Sequence, residues 1–309
     1  MNRVGSQMRR QVAAACAAAL LLLGSPVAHA GWKDEVGTLR IGMLARPGSG
    51  AVVPGASAIE RAYANALGIP VDIFVARDFA ALIDAQASGR IQYAIFSATA
   101  YAAAWRRCGC VEPLAAPISE DGTSGLRAVL IVAKADAGGE GRRIAAVPQS
   151  VVADLLPGLA GPQARPAGAR PDDEIVRVGS MSVAERMFAE GEIDGLYGWA
   201  PERVGGPDAG TLARLAAMGV APGDMEIVWT SQSVRFGPHA VRADLPPEAK
   251  DILKRFLTGL KLADPDVYDL LEEERQGGFL RAGHDDYEAA VEALGGWLPA
   301  PAQPSPEGE

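Results

Sequence analysis

Short apolar blocks alternate with polar and Gly/Pro-rich stretches along the chain, and the period of the blocks switches between strand and helix. Residues 39–44, Leu-Arg-Ile-Gly-Met-Leu, read as a first strand, and residues 47–55, with Pro47, Gly48, Gly50, Pro54 and Gly55, as a loop. Ser57 and Glu60 have the spacing of a capping box, which predicts a helix to about Leu67 before Gly68. Residues 71–75 form the next strand. Asp78 is placed to cap a helix that turns Phe79, Leu82 and Ile83 inward and ends at Gly89, and residues 92–96 form a third strand. Strand alternating with helix in this way predicts a parallel sheet.

A second α/β block follows the loop at 119–125. Its strands are expected at 127–133, 143–147, 174–178, 193–199 and 225–229, with residues 157–173, rich in Gly, Pro and Ala, as a surface loop. One helix starts through Pro148-Gln149-Ser150 and another through Gly179-Ser180-Met181-Ser182, where Ser182 and Glu185 repeat the capping-box spacing. Residues 235–242 resume as a strand, three helical stretches follow at 247–260, 264–276 and 285–294, and the proline-rich tail 299–309 is expected to be disordered.

In an open parallel sheet, ligands collect at the carboxyl ends of strands, where the following helices point their N-termini. Ser97, Thr99 and Tyr101 stand at such an end. A serine or threonine there serves either as a helix cap or as a ligand hydroxyl, because both roles use the same geometry.

The first 30 residues change the picture of where the chain works. Arg9 and Arg10, the apolar run 12–23 and Ala28-His29-Ala30 follow the order of a cleaved secretory signal, with cleavage expected after Ala30 and a soluble exported product. Cys16 lies inside the apolar run with Ala13 three positions before it, which argues against a lipid anchor. The 309-residue chain has a formal charge of −9, and a leader with three arginines and no acid takes the exported part to −12. Such acidity excludes nucleic acid as partner, since phosphate-backbone recognition draws on Lys and Arg. It does not exclude a small anion held by backbone N–H groups. Cys108 and Cys110, separated by Gly109, form either a tight disulfide or two thiols; neither the spacing of a redox motif nor a set of metal ligands is nearby.

Reactive groups are sparse. After the leader only His239 and His284 remain, His239 in the apolar context Gly237-Pro238-His239-Ala240-Val241, which suits a packed histidine better than a general base. His284 with Asp285 and Asp286 reads as a helix start before a metal cluster. The Gly-x-Ser-x-Gly, Walker and His-Glu-x-x-His patterns are absent. No catalytic residue, metal or cofactor is therefore assigned. Hydroxyl-bearing helix starts, with the aromatics Tyr101, Tyr197 and Trp199 near strand ends, point to binding of a small ligand.

Three stretches give the chain a family likeness: Leu39-Arg40-Ile41-Gly42, then Ala80-Ala81-Leu82-Ile83-Asp84-Ala85 with Ser88-Gly89-Arg90-Ile91-Gln92-Tyr93-Ala94, and Gly237-Pro238-His239-Ala240-Val241-Arg242-Ala243-Asp244-Leu245-Pro246-Pro247-Glu248. In order and spacing they resemble the substrate-binding proteins of phosphate, phosphite and phosphonate ABC transporters. The resemblance implies the type II periplasmic-binding-protein fold, an α/β chain in two lobes, each a mostly parallel sheet flanked by helices, with the ligand cleft between them. It implies lobe 1 over 39–125 and 233–298, lobe 2 over 126–232, and hinge strands near 127–131 and 229–234. Within the likeness Tyr101 matches a family aromatic, but Ser150-Val151-Val152-Ala153 stands where the family has a Ser-Thr-Ser-Gly-like helix start. Met181 stands where a histidine commonly follows Gly-Ser, and Trp199 where an acid is usual. These departures imply an altered pocket for a less charged or more apolar solute, bound by Ser97, Thr99, Tyr101, Gln149, Ser150, Ser180, Met181 and Ser182 against a wall of Tyr197 and Trp199. The implied partners are a small-molecule or oxyanion solute and an inner-membrane ABC permease, with the protein acting as a monomer in the periplasm. A ligand sensor or accessory subunit on the same fold is the alternative.

Overall fold

The computed structural model describes residues 31–45, 52–148, 150, 152–153, 156–158, 165–202 and 210–295. The expectations for the leader, Cys16, Gln149 and the tail lie outside these residues. The chain divides into a unit of residues 1–35 and a unit of residues 36–309. A short helix, α1 (Trp32–Val36), runs from the first unit into the second, and all that follows belongs to the second.

Two sheets organise that unit. The strands are β1 (Leu39–Leu44), β2 (Val71–Ala76), β3 (Tyr93–Ile95), β4 (Val111–Ile118), β5 (Gly125–Ala133), β6 (Arg143–Ala146), β7 (Glu174–Arg177), β8 (Gly195–Pro201), β9 (Met225–Arg235), β10 (His239–Arg242) and β11 (Gly278–Arg281). One sheet has the order β11-β4-β10-β3-β1-β2 and the other β7-β6-β8-β5-β9. The chain passes from the first to the second through residues 119–124 and returns through 236–238. These passages lie side by side: Gly125 pairs with Arg235, and Phe236 N–H donates to the Ser124 carbonyl at 3.0 Å. The passages flank the long β5–β9 pair, whose interior holds the stretches expected as hinges.

The α/β fold in two sheets holds, but the sheets are mixed rather than mostly parallel. β1 is parallel to β2 and β3, while β10 runs antiparallel to β3 and β4, and β11 antiparallel to β4. In the other sheet β6 is parallel to β7 and β8, and β5 antiparallel to β8 and β9. The antiparallel pairing comes from β5 in one sheet and from β10 and the strands β4 and β11 in the other, and β4 and β11 are strands that sequence reading missed. β4 contains Pro113 and Pro117, residues that cannot donate to a ladder and so argue against an interior strand. It is accommodated by a register shift opposite His239 and Ala240, next to Pro113.

The helices are α2 (Ala56–Leu67), α3 (Phe79–Ala87), α4 (Ala98–Cys108), α5 (Met181–Ala189), α6 (Gly210–Ala217), α7 (Pro247–Ala263), α8 (Pro265–Leu271) and α9 (Glu288–Gly295). Asp78 and Ser97 cap α3 and α4 by accepting from Ala81 N–H at 2.7 Å and Ala100 N–H at 3.1 Å. Neither expected capping box forms. α2 starts after Gly55 with no side-chain cap, and Glu60 instead accepts from Ile73 N–H at 3.0 Å, which ties the helix to β2. α5 is capped by Ser180, and Glu185 turns into the core to meet Arg214 at 2.8 Å. Long-range carboxylate contacts prevail over local caps at both places. Cys108 and Cys110 are disulfide-bonded across Gly109, the left-handed residue that ends α4.

Each sheet has its own apolar core, and a third cluster joins them. Ala102 of α4, Ala128 of β5, Val234 of β9 and Ala289, Ala290 and Ala293 of α9 pack together, the alanines allowing close approach of the backbones. Among the described residues no helix is long and apolar enough to cross a membrane.

Candidate functional site

A cavity of about 810 Å³ opens between the two sheets beside the two passages of the chain. One side is built by the end of β3 and the start of α4. Phe96 N–H donates to the Pro238 carbonyl at 3.0 Å, so the strand end is pinned to the return passage. Gly237 makes that approach possible, because a Cβ there would fall 2.0 Å from the Phe96 carbonyl oxygen. Ser97 and Thr99 line the cavity with their hydroxyl oxygens 3.3 Å apart. The first N–H groups of α4 have no intrahelical acceptor, and its dipole favours negative charge at this end. A cap and a ligand hydroxyl are thus compatible roles here, since Ser97 Oγ accepts from Ala100 N–H while still facing the cavity.

The opposite side carries Ser150, Val152, Trp199 and Pro201. Ser150 Oγ accepts from Ala153 N–H at 3.3 Å. Trp199 is fixed through its backbone, its N–H donating to Thr211 Oγ1 at 2.9 Å, and packs on the cluster shared by the two sheets.

Several expected site residues lie elsewhere. Tyr101 is fully buried, its hydroxyl 2.8 Å from His284 Nδ1 and its ring against Tyr287; burial, with Glu112 as a lesser cause, pushes the phenol pKa up. Tyr197 is also buried and donates to the Ala167 carbonyl at 2.8 Å, so only Trp199 of the expected wall faces the cavity. Tyr101 is on the buried face of α4, and Tyr197 lies within a run of four buried residues in β8. Ser180, Met181 and Ser182 start α5 away from the cavity lining, with the two serine hydroxyls 3.0 Å apart.

The lining also contains residues that sequence reading missed: Phe79, Phe236, Asp121, Arg235, Glu272, Glu274 and Arg275. Most come from the chain passages and from the stretch after α8, which no local pattern ties to β3. The cations are already engaged. Arg235 meets Asp286 at 2.9 Å; Arg275 meets Glu272 at 3.2 Å and Glu274 at 3.3 Å, and lies over the Phe236 ring at 4.2 Å.

Neither histidine joins the cavity. His239 is buried with Nδ1 2.5 Å from the Tyr93 hydroxyl, which lies 2.8 Å from that of Tyr63. Burial pushes its pKa down to about 3, so it is a neutral imidazole inside the β3–β10 core. His284 stacks on Trp105, and Asp286 instead caps its short helix by accepting from Gly283 N–H at 2.8 Å. Among the described residues no three His, Cys, Asp or Glu gather as metal ligands.

The comparisons with known proteins bear on this arrangement. The family model described as "ABC transporter, phosphonate, periplasmic substrate-binding protein" matches residues 41–287. No curated protein matches the sequence. Among solved structures, XAC2383 from Xanthomonas citri bound to chloride is similar at a TM-score of 0.57 and 17% identity, covering 84% of this chain and 97% of that one. The same protein bound to ATP is similar at 0.57 and 16%, covering 84% and 96%. PhnD1 from Prochlorococcus marinus in complex with methylphosphonate is similar at 0.50 and 14%, covering 84% and 97%. At these identities the likeness is one of fold.

Proposed function

Because the chain belongs to the family of periplasmic substrate-binding proteins of phosphonate ABC transporters, we propose that its cleft holds a small solute by an anionic head and delivers it to an inner-membrane permease. The family sets the coarse outline: a periplasmic protein with a small-molecule ligand and a membrane partner. The observation that carries the finer reading is the pair Ser97 and Thr99, two hydroxyls at the N-terminus of an 11-residue helix, opening on a cavity between two sheets joined by two adjacent passages. Hydroxyls and helix-end N–H groups hold an oxyanion without a formal cation. The cleft assignments among the residues read from sequence are then Ser97, Thr99, Ser150 and Trp199.

The protein acts as a binder rather than an enzyme on this reading. His239 is buried in a core and His284 pairs with Tyr101, and Ser97 and Ser150 have helix N–H groups rather than a base as partners. The two sheets with their helices are taken as the two lobes, and the protein is taken as an exported monomer that begins at Gly31, with no role for nucleic acid. A thermal-shift series on the protein purified from the periplasm, with phosphate, phosphite, phosphonates, sulfonates and small carboxylates, tests the reading. A ligand at 100 times its Kd adds about 2.7 kcal/mol. A rise in Tm with at least one oxyanion, lost in Ser97→Ala/Thr99→Ala, is expected; no rise with any of them, or a rise untouched by the double variant, refutes it.

A further inference from the structure

We infer that the solute carries a bulky apolar body, of the size of an aromatic ring, on its single anionic head. The inference rests on the head being held at Ser97 and Thr99 and adds what fills the remainder of the cavity.

The volume is the first argument. A tetrahedral oxyanion of five heavy atoms displaces on the order of five waters, roughly 150 Å³, whereas the cavity holds about 810 Å³. The cavity is partly open to solvent, so this volume is an upper bound on the solute, and it leaves room beyond the head for a body the size of an aromatic ring. The second argument is the wall. Phe79, Trp199 and Phe236 line it together with Leu126, while Phe96 and Val234 are buried in the cores behind it; aromatic side chains on both sides of the cavity suit a flat apolar group. Of these rings, Phe236 precedes Gly237, which lets the return passage approach the strand end that carries Ser97, and Trp199, on the opposite side, follows Gly198, whose lack of a side chain lets Thr211 reach the Trp199 backbone.

Charge is the third argument. The described lining holds two arginines, Arg235 and Arg275, against three carboxylates, Asp121, Glu272 and Glu274. Both arginines are engaged by acids, and Arg275 is further held by the Phe236 face. Arg235 keeps one buried Nε without a partner, but the charge of each guanidinium is already balanced by its acid. The lining therefore offers little net positive charge to a small, highly charged anion, while an organic anion with one head and an apolar body uses the hydroxyls and the rings as they stand. Burying a phenyl group against such a wall is worth a tenfold or greater gain in affinity, on the order of the transfer of its apolar surface from water.

Isothermal titration of the periplasmic protein with methylphosphonate and benzylphosphonate, which share a head and differ in body, tests this. The expected result is benzylphosphonate binding about tenfold or more tighter than methylphosphonate, with the ratio collapsing in Trp199→Ala. Equal affinities, or tighter binding of methylphosphonate, would overturn the inference and leave the head assignment standing. If neither phosphonate binds, while another oxyanion still depends on Ser97 and Thr99, the apolar-body inference alone falls. If no oxyanion binds, the head assignment falls and takes the inference with it. The wild-type ratio stands whether or not Trp199→Ala folds; Phe79→Ala offers a second site at which the same collapse is read.

Discussion

His239 makes the fold acid-sensitive in a way that can be worked out from its surroundings. Its ring is enclosed by Tyr93 and Phe279, with centroids at 5.9 and 4.6 Å, and Nδ1 faces the Tyr93 hydroxyl. Burial moves its pKa from 6.5 to about 3. The sign follows from proton uptake: between those values the unfolded chain binds a proton at this site and the folded chain does not, so stability is full above about pH 7.5 and is lost as pH falls below the unfolded value. From pH 8 to pH 5 this one group removes about 2 kcal/mol. His239→Asn removes the titration and leaves an amide able to pair with Tyr93. Urea denaturation of both proteins at pH 8 and pH 5 isolates the site, because the other titrating groups cancel in the comparison. The wild type should lose about 2 kcal/mol more than the variant over this interval. Equal losses would show that His239 titrates in the folded state as it does unfolded, and would refute the reasoning.

The remaining predictions concern other parts of the molecule. Arg142 and Asp173 form a buried ion pair through two hydrogen bonds of 2.9 and 2.6 Å, and Asp173 also accepts from Arg170 N–H; Asp173→Asn should cost about 3–5 kcal/mol in urea denaturation. Gly237→Ala should lower stability by about 1–3 kcal/mol and weaken oxyanion binding, because the added Cβ meets the Phe96 and Ser97 backbone at 2.0 and 2.8 Å; unchanged affinity would mean that Ser97 is not held by this contact. Tyr93→Phe leaves the Tyr63 hydroxyl and His239 Nδ1 without their buried partner and should cost about 1–3 kcal/mol by the same assay. Mass spectrometry of the exported protein should find Gly31 at its N-terminus, and a retained leader would contradict the cleavage assignment.

The elements that sequence reading placed well are those whose signals are local. β1, β2 and β3 alternate with helices, and Asp78 and Ser97 cap α3 and α4 where their spacing requires. What escaped depends on contacts between distant segments. β4 carries two prolines and β11 opens on a left-handed glycine, so neither looks like a strand until β10 supplies the pairing edge for β4, and β4 that for β11. Glu60 and Glu185 looked like capping residues and were drawn instead to β2 and to Arg214. At the site, Ser97 and Thr99 were legible because a strand end and a helix start adjoin in sequence. Phe236 and Arg275 were not, because only the return passage and the stretch after α8 bring them to the same cavity, and Phe79 was read as an inward helix residue with nothing local to place it at the cavity. Tyr101 and Tyr197 show the converse: an aromatic expected near a strand end carries no information on which way its side chain turns, and these two, in α4 and within β8, turn into cores.

The most direct test of the account is a crystal structure of the protein grown with benzylphosphonate. The account predicts the phosphonate oxygens against Ser97, Thr99 and the first N–H groups of α4, with the phenyl ring against Trp199 and Phe79. A ligand seated at Ser180 and Ser182, or a head group bound at Arg235 or Arg275 with the cavity between the sheets unfilled, would contradict it.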